Sequence, residues 1–200
     1  MVLDLLRLRF NNYLVIDNFF PEHICVYLRD LVYQDHPITT RRPHYDATDY
    51  DYGDGSSSLK SIANQYVSPK VSFLKSYIRS WSFVYNNIGK GVNAHKDPDS
   101  QYTCNVWVTP NECVENNNCN GLKLYRNRLV DPNWPEIQTP HWNMYSRPEY
   151  LKKLKYDIIP YKYNRATIFR SKTIHETDNV FMKPGYQNRR ISYTFLYYNS

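Results

Sequence analysis

Two triplets in this sequence pair a histidine with an aspartate two residues on, His44-Tyr45-Asp46 and His95-Lys96-Asp97. On an extended strand successive side chains alternate faces, so residues two apart point the same way and an imidazole can converge with a carboxylate. Such a pair supplies two of the three donors in a facial set of two nitrogens and one oxygen, which leaves the other positions of an octahedral iron open. The second triplet is followed by the β-prone stretch Tyr102 to Thr109, whereas the first lies among Asp, Gly and Pro residues with no alternating strand behind it. Context therefore selects His95 and Asp97 and makes His44 a decoy. The missing donor has to come from a distant segment, and His175, a short polar turn after Ala166-Thr-Ile-Phe-Arg170, is the best candidate. Taken alone, that histidine would be read as an ordinary surface or core residue; its neighbours in the set make it a ligand candidate.

A second chemical feature lies in Asn188-Arg-Arg-Ile-Ser-Tyr-Thr-Phe195. Alternation puts Arg190, Ser192 and Thr194 on one face and Ile191, Tyr193, Phe195 and Tyr197 on the other. A guanidinium beside a hydroxyl suits a carboxylate, because the planar fork donates two parallel hydrogen bonds. A one-residue slip would exchange the faces and offer Arg189 instead; Ser192 favours Arg190. The net charge of +6 suits anionic partners, a dicarboxylate or a nucleic acid, without choosing between them.

These residues need a scaffold. Asn12 to Asp17 reads as a short strand, and an amphipathic helix of about residues 21 to 34 follows, with Pro21 in its first turn and Ile24, Leu28, Leu31 and Val32 on one face. Residues 36 to 58 read as a long irregular loop. Ser68 and Pro69 signal a second helix that buries Val71, Leu74, Ile78 and Trp81. Segments 81–88, 92–97, 101–109, 121–125, 157–161, 166–170 and 189–198 have strand character. The expected fold is mainly β with flanking helices: a small closed sheet, barrel or jelly roll, covered on one outer face by the N-terminal helices.

The 200 residues suit one domain spanning 1–200. Four prolines between 132 and 148 mark a lid-like insertion at about 126–157, with a short helix at 148–155. Trp107, Trp134, His141 and Trp142 would line or cover a pocket, or simply pack. Cys25, Cys104, Cys113 and Cys119 show no metal spacing and read as idle thiols, with a Cys113–Cys119 bridge as the oxidised alternative. No long apolar run is present, and charge interrupts the N-terminus too early for a secretory signal, so a soluble cytoplasmic protein with no membrane partner is expected.

The order His-x-Asp, His, Arg-x-Ser resembles the double-stranded β-helix (cupin-like) oxygenases that use Fe(II) and 2-oxoglutarate, in particular their prolyl-hydroxylase-like branch. Tyr13-Leu-Val-Ile-Asp-Asn-Phe-Phe-Pro21 is similar to that branch's opening strand and helix, and Tyr85 to Asp97 to its approach to the first ligands. Asn120 to Tyr125 and Ile159 to His175 are similar to its later strands. The resemblance implies His95, Asp97 and His175 as iron ligands, Arg190 with Ser192 as holders of the cosubstrate's far carboxylate, and Tyr85 as a further cosubstrate contact or else a core tyrosine. It also implies O2 as oxidant, with ascorbate as an optional reductant. Prolyl or other peptide side-chain hydroxylation is the default activity; the alternatives are a hydroxylase of a small molecule or free amino acid, a nucleic-acid oxidative demethylase, and a non-catalytic cupin-like binding module. The chain departs from the branch in having Asn120 where glycine is usual, arginine where prolyl hydroxylases often use lysine, and its own insertion after Arg126.

Overall fold

The structure, a computed structural model, describes residues 12–34, 39–51, 58–97, 100–126 and 149–198. Its strands are Tyr13–Ile16 (β1), Thr39–Arg41 (β2), Tyr45–Asp49 (β3), Ser76–Tyr85 (β4), Ile88–Gly89 (β5), Tyr102–Trp107 (β6), Leu122–Tyr125 (β7), Tyr156–Ile159 (β8), Ala166–Arg170 (β9), His175–Thr177 (β10), Val180–Phe181 (β11) and Ile191–Tyr198 (β12). They form a seven-stranded sheet in the order β1-β9-β6-β12-β4-β3-β2, a three-stranded sheet β10-β7-β8, and the pair β11-β5, with antiparallel neighbours throughout. This is the expected jelly roll with helices on its larger sheet.

Alternation along β12 explains the layering. Ile191, Tyr193, Phe195 and Tyr197 point outward with Val84, Val106 and Ile168, and are covered by Ile24, Cys25, Leu28 and Leu31 of helix α1 (Glu22–Leu31) and by Leu59 and Ile62 of helix α2 (Ser58–Ile62). Burying each such side chain stabilises the fold by roughly 1.5–3 kcal/mol. The Tyr193 hydroxyl donates to the Leu28 carbonyl at 2.7 Å, fixing α1 to the sheet's central strand. The inward face instead meets the smaller sheet, where Trp107 and Phe169 pack on Leu122, Leu124 and Ile159.

Several local expectations are corrected. No helix starts at Ser68: α2 lies before it and widens into a π-turn at Ala63–Val67, closed by the Ser68 N–H bonded to the Ala63 carbonyl. Ser68-Pro69 is therefore a stop signal, proline being unable to continue the ladder. Ile78 and Trp81 belong to β4, where period-two alternation outweighs the helical spacing of Val71, Leu74 and Ile78. The irregular loop 36–58 contains β2 and β3, which extend the large sheet through pairing with β4. Residues 92–97 form no strand; His95 makes an isolated bridge to His175. Pro21 precedes α1 as its N-cap. Of the proposed insertion, residues 127–148, with Trp134, His141 and Trp142, lie outside the described residues; Glu149–Lys153 forms a 3-10 helix, and Tyr156 and Asp157 already belong to β8. All four cysteines are free. Among the described residues, no helix is long and apolar enough to cross a membrane.

Asp17, just past β1, is clamped by Arg165 (Nε to Oδ1, 2.6 Å) and Lys162 (Nζ to Oδ2, 2.8 Å), and these cations lower its carboxyl to about 2. A carboxylate with a depressed folded-state value contributes stability that is complete above its unfolded value and fades as pH falls through the folded one. Thermal melting across a pH series should show wild-type stability dropping between about pH 4 and pH 2, with a smaller drop in Asp17→Asn and in high salt. Superimposable wild-type and variant curves would contradict this.

Candidate metal centre

His95, Asp97 and His175, all buried, each present one donor atom, and these atoms lie within 4.8 Å of one another. Backbone pairing, rather than strand alternation, achieves this. The His95 and His175 N–H groups donate to each other's carbonyls, both at 2.9 Å, and the Asp97 N–H donates to the Ser171 carbonyl at 3.0 Å. Gly91 lets the approaching chain lie against β10, since a Cβ there would overlap the Thr177 side chain.

The side chains are aimed by hydrogen bonds. His95 Nδ1 lies 2.6 Å from the Asn93 carbonyl and His175 Nδ1 lies 3.0 Å from the Thr173 carbonyl. A carbonyl only accepts, so each Nδ1 is the donor there and each Nε2 is turned toward Asp97. Those Nε2 atoms lie 3.7 and 3.6 Å from the two oxygens of Asp97. Burial, followed by the neighbouring His175, lowers His95 to about 3, so its imidazole stays neutral in ordinary buffers. Two imidazole nitrogens and one carboxylate are a donor set that could hold a divalent transition metal. The Thr103 hydroxyl, 1% exposed, donates to Asp97 Oδ2 at 2.6 Å and fixes the carboxylate's rotation.

The three ligand candidates line a cleft, open at its mouth, with Trp81, Phe83, Tyr85, Val92, Asn105 and Thr194 among its walls. Against Tyr85, one of these walls, lies Arg190, 1% exposed, its guanidinium 4.6 Å from the Tyr85 ring centre, 5.4 Å from Trp107 and 5.8 Å from Tyr161. Nε donates to the Asn120 carbonyl at 2.9 Å, while Nη1 is buried without a hydrogen-bond partner. Ser192 is buried on the same strand face, between Phe83 and Trp107 in the register. The Tyr85 hydroxyl lies 3.0 Å from that of Thr177. Arg189 points elsewhere: its Nη2 meets Asp46 at 3.0 Å and the Val84 carbonyl at 2.8 Å. The same ion pair occupies the carboxylate of the decoy triplet.

Asn120 explains its own departure from glycine. Its φ is +69°, a region asparagine tolerates better than most residues, and its side chain accepts from the Phe181 N–H and donates to the Asn116 carbonyl. Sequence reasoning passed over Thr103 and Asn105, although alternation in Thr103-Cys-Asn-Val-Trp107 placed both on the Trp107 face. Tyr161, which donates to the Thr109 carbonyl and whose phenol burial keeps neutral, had no sequence signal.

Removing the Thr103 hydroxyl leaves the Asp97 carboxylate short of a partner. Thr103→Val should weaken divalent metal binding by about 10- to 100-fold, measured by titration with Co(II), while His44→Ala leaves it unchanged. Unaltered affinity in Thr103→Val would remove the threonine from the centre.

No protein-family model matches the sequence, and no curated protein does. Solved structures match by shape. Across 96% of this chain and 80% of the other, it superposes on the non-heme alpha ketoglutarate dependent epimerase SnoN from nogalamycin biosynthesis, with a TM-score of 0.68 and 14% identity. HygX from Streptomyces hygroscopicus, solved with nickel and 2-oxoglutarate bound, gives 0.64 at 10% identity over 98% and 85% of the two chains. The prolyl hydroxylase from Trichoplax adhaerens, in complex with a hypoxia inducible factor peptide fragment, gives 0.59 at 14% identity over 96% and 86%. At such identities the likeness is one of architecture: the chain has the jelly-roll fold of the Fe(II)- and 2-oxoglutarate-dependent oxygenases.

Proposed function

We propose that this protein is an Fe(II)- and 2-oxoglutarate-dependent dioxygenase that hydroxylates a C–H bond, with prolyl or another peptide side chain as its substrate. The observation that carries the reading is the meeting of His95, Asp97 and His175 in a cleft whose Tyr85 wall lies against a buried arginine with an unpartnered Nη1. An orphaned buried guanidinium nitrogen is costly, by roughly 1–3 kcal/mol or more for a charged group, and a ligand carboxylate would relieve it. The dicarboxylate cosubstrate offers that group.

In this reading His95 and His175 give imidazole nitrogens and Asp97 its carboxylate, with Thr103 holding the carboxylate's orientation. Arg190, steadied by the Asn120 carbonyl and enclosed by Tyr85, Trp107 and Tyr161, binds the far carboxylate in a site closed to water, where a charge-assisted pair is strong. Ser192 and Tyr85 add hydroxyls at that end. Iron, 2-oxoglutarate and O2 together supply the oxidising equivalents that turn a C–H bond into C–OH, with succinate and carbon dioxide as co-products. Val92, Leu122 and Phe169 give the cleft apolar walls beside the three ligand candidates. A small-molecule substrate is the second reading, favoured by the likeness to HygX, which was also solved with hygromycin B bound.

Anaerobic addition of Fe(II) and 2-oxoglutarate should produce the weak visible charge-transfer band of the chelate. His95→Ala and Asp97→Ala should abolish it and Arg189→Ala should retain it. Arg190→Leu should raise the 2-oxoglutarate concentration for half-saturation by at least about 30-fold, equivalent to about 2 kcal/mol, with Arg190→Lys less affected. A band that survives in both ligand variants would refute the assignment. Succinate release with proline-containing peptides and none with free amino acids would support the peptide substrate.

A further inference from the structure

The cleft wall carries a polar feature that neither the metal centre nor Arg190 uses. Trp81 on β4, Thr194 on β12 and Asn105 on β6 stand in one row, because the register pairs Trp81 with Thr194 and Thr194 with Asn105. All three line the cleft together with His95, Asp97 and His175. Asn105 Nδ2 donates to Thr194 Oγ1 at 3.0 Å, so the amide's nitrogen is engaged and its Oδ1 is left buried without a partner. Trp81 Nε1 is also buried without a partner. Its indole is steadied by Arg79, whose guanidinium lies 5.0 Å from the ring centre and pairs with Asp49 at 3.6 Å.

The two orphans are of opposite kind. Indole nitrogen only donates and an amide oxygen only accepts. Their backbones are two strand spacings apart, about 9–10 Å, with Thr194 between them. A group that satisfies both must present an acceptor toward β4 and a donor toward β6. Carboxylates and phosphates offer acceptors alone, and ammonium groups offer donors alone. A trans secondary amide has the required arrangement, since its C=O and N–H point in opposite directions from one planar unit.

We infer that the row Trp81–Thr194–Asn105 is a substrate subsite that grips a trans secondary amide, with the Trp81 N–H donating to its carbonyl and Asn105 Oδ1 accepting from its N–H. The occupant is a peptide backbone, which the row presents beside the metal centre while the side chain to be oxidised enters the cleft. The inference deepens the proposed hydroxylase reading and rests on it for the purpose of the cleft. Its test needs neither iron nor turnover.

The measurement is an NMR titration of 15N-labelled full-length protein, as purified and without added iron or cosubstrate. The probes are N-methylacetamide, the smallest trans secondary amide, and N,N-dimethylacetamide, which keeps the carbonyl and lacks the N–H. Trp81→Phe identifies the Trp81 indole resonance among the four tryptophans. That resonance should shift saturably with N-methylacetamide, the dimethyl compound should bind at least about fivefold more weakly, and the Trp107 indole should stay still. Asn105→Ala should erase the preference between the probes and Asn105→Asp, which keeps an acceptor, should retain it. Absence of a saturable shift, equal affinity for the two probes, or a preference that survives Asn105→Ala would each overturn the subsite. The last result would assign Asn105 Oδ1 to Thr167, its β9 neighbour with an unpartnered buried hydroxyl. Any of these failures leaves the chelate band and the oxygenase reading standing, and loss of the band leaves the amide subsite intact.

Discussion

Two backbone hydrogen bonds, exchanged between His95 and His175, hold the candidate site together. They join segments eighty residues apart and put two imidazoles at a ring separation of 4.1 Å. Other polar contacts then aim the side chains. The Nδ1 protons are spent on local carbonyls and the Asp97 oxygens reach both Nε2 atoms. Phe169 backs His175 at 4.7 Å. Because a bridge of this kind is made by main-chain atoms, it fixes ligand positions without using the side chains that must remain available for a metal.

The large sheet divides the labour between its faces. Its outer face carries the large apolar cluster under α1 and α2, with the buried Ser80 and Ser82 hydrogen-bonded to Asp51, Tyr77 and Tyr50, and provides the stabilisation. Its inner face carries Thr103, Asn105, Arg190, Ser192 and Thr194, all on or beside the two central strands. Buried polar groups of this number are expensive unless satisfied. Some are satisfied internally, as Thr103 is by Asp97, while Arg190 Nη1, Asn105 Oδ1 and Trp81 Nε1 are not. Of these, Trp81 and Asn105 line the cleft and Arg190 lies against its Tyr85 wall.

The two arginines show how strongly register decides role. Arg189 and Arg190 are chemically identical neighbours, yet one faces Asp46 and the carbonyls of Val84 and Tyr85, and the other enters a cage of aromatic rings. Pairing of β12 with β4 and β6 makes the choice, because a one-residue slip would send each to the opposite face. The second histidine–aspartate triplet is part of β3 and its approach, and its carboxylate is committed to the ion pair with Arg189.

By itself the sequence determined the fold class, through short alternating strands and an amphipathic opening helix, and it singled out the three ligand candidates by their residue types and flanking strand character. Alternation in β12 also separated Arg190, Ser192 and Thr194 from their apolar neighbours. Tertiary structure alone decided that Ser68-Pro69 ends a helix, that residues 39–49 join the sheet, and that His95 is set by a long-range bridge where a local strand was expected. It also revealed Thr103, Tyr161 and the Trp81–Thr194–Asn105 row. The physical reason is one of range: periodicity and capping are written into neighbouring residues, whereas cross-strand partners and unmet hydrogen bonds exist only once distant strands have been brought into register.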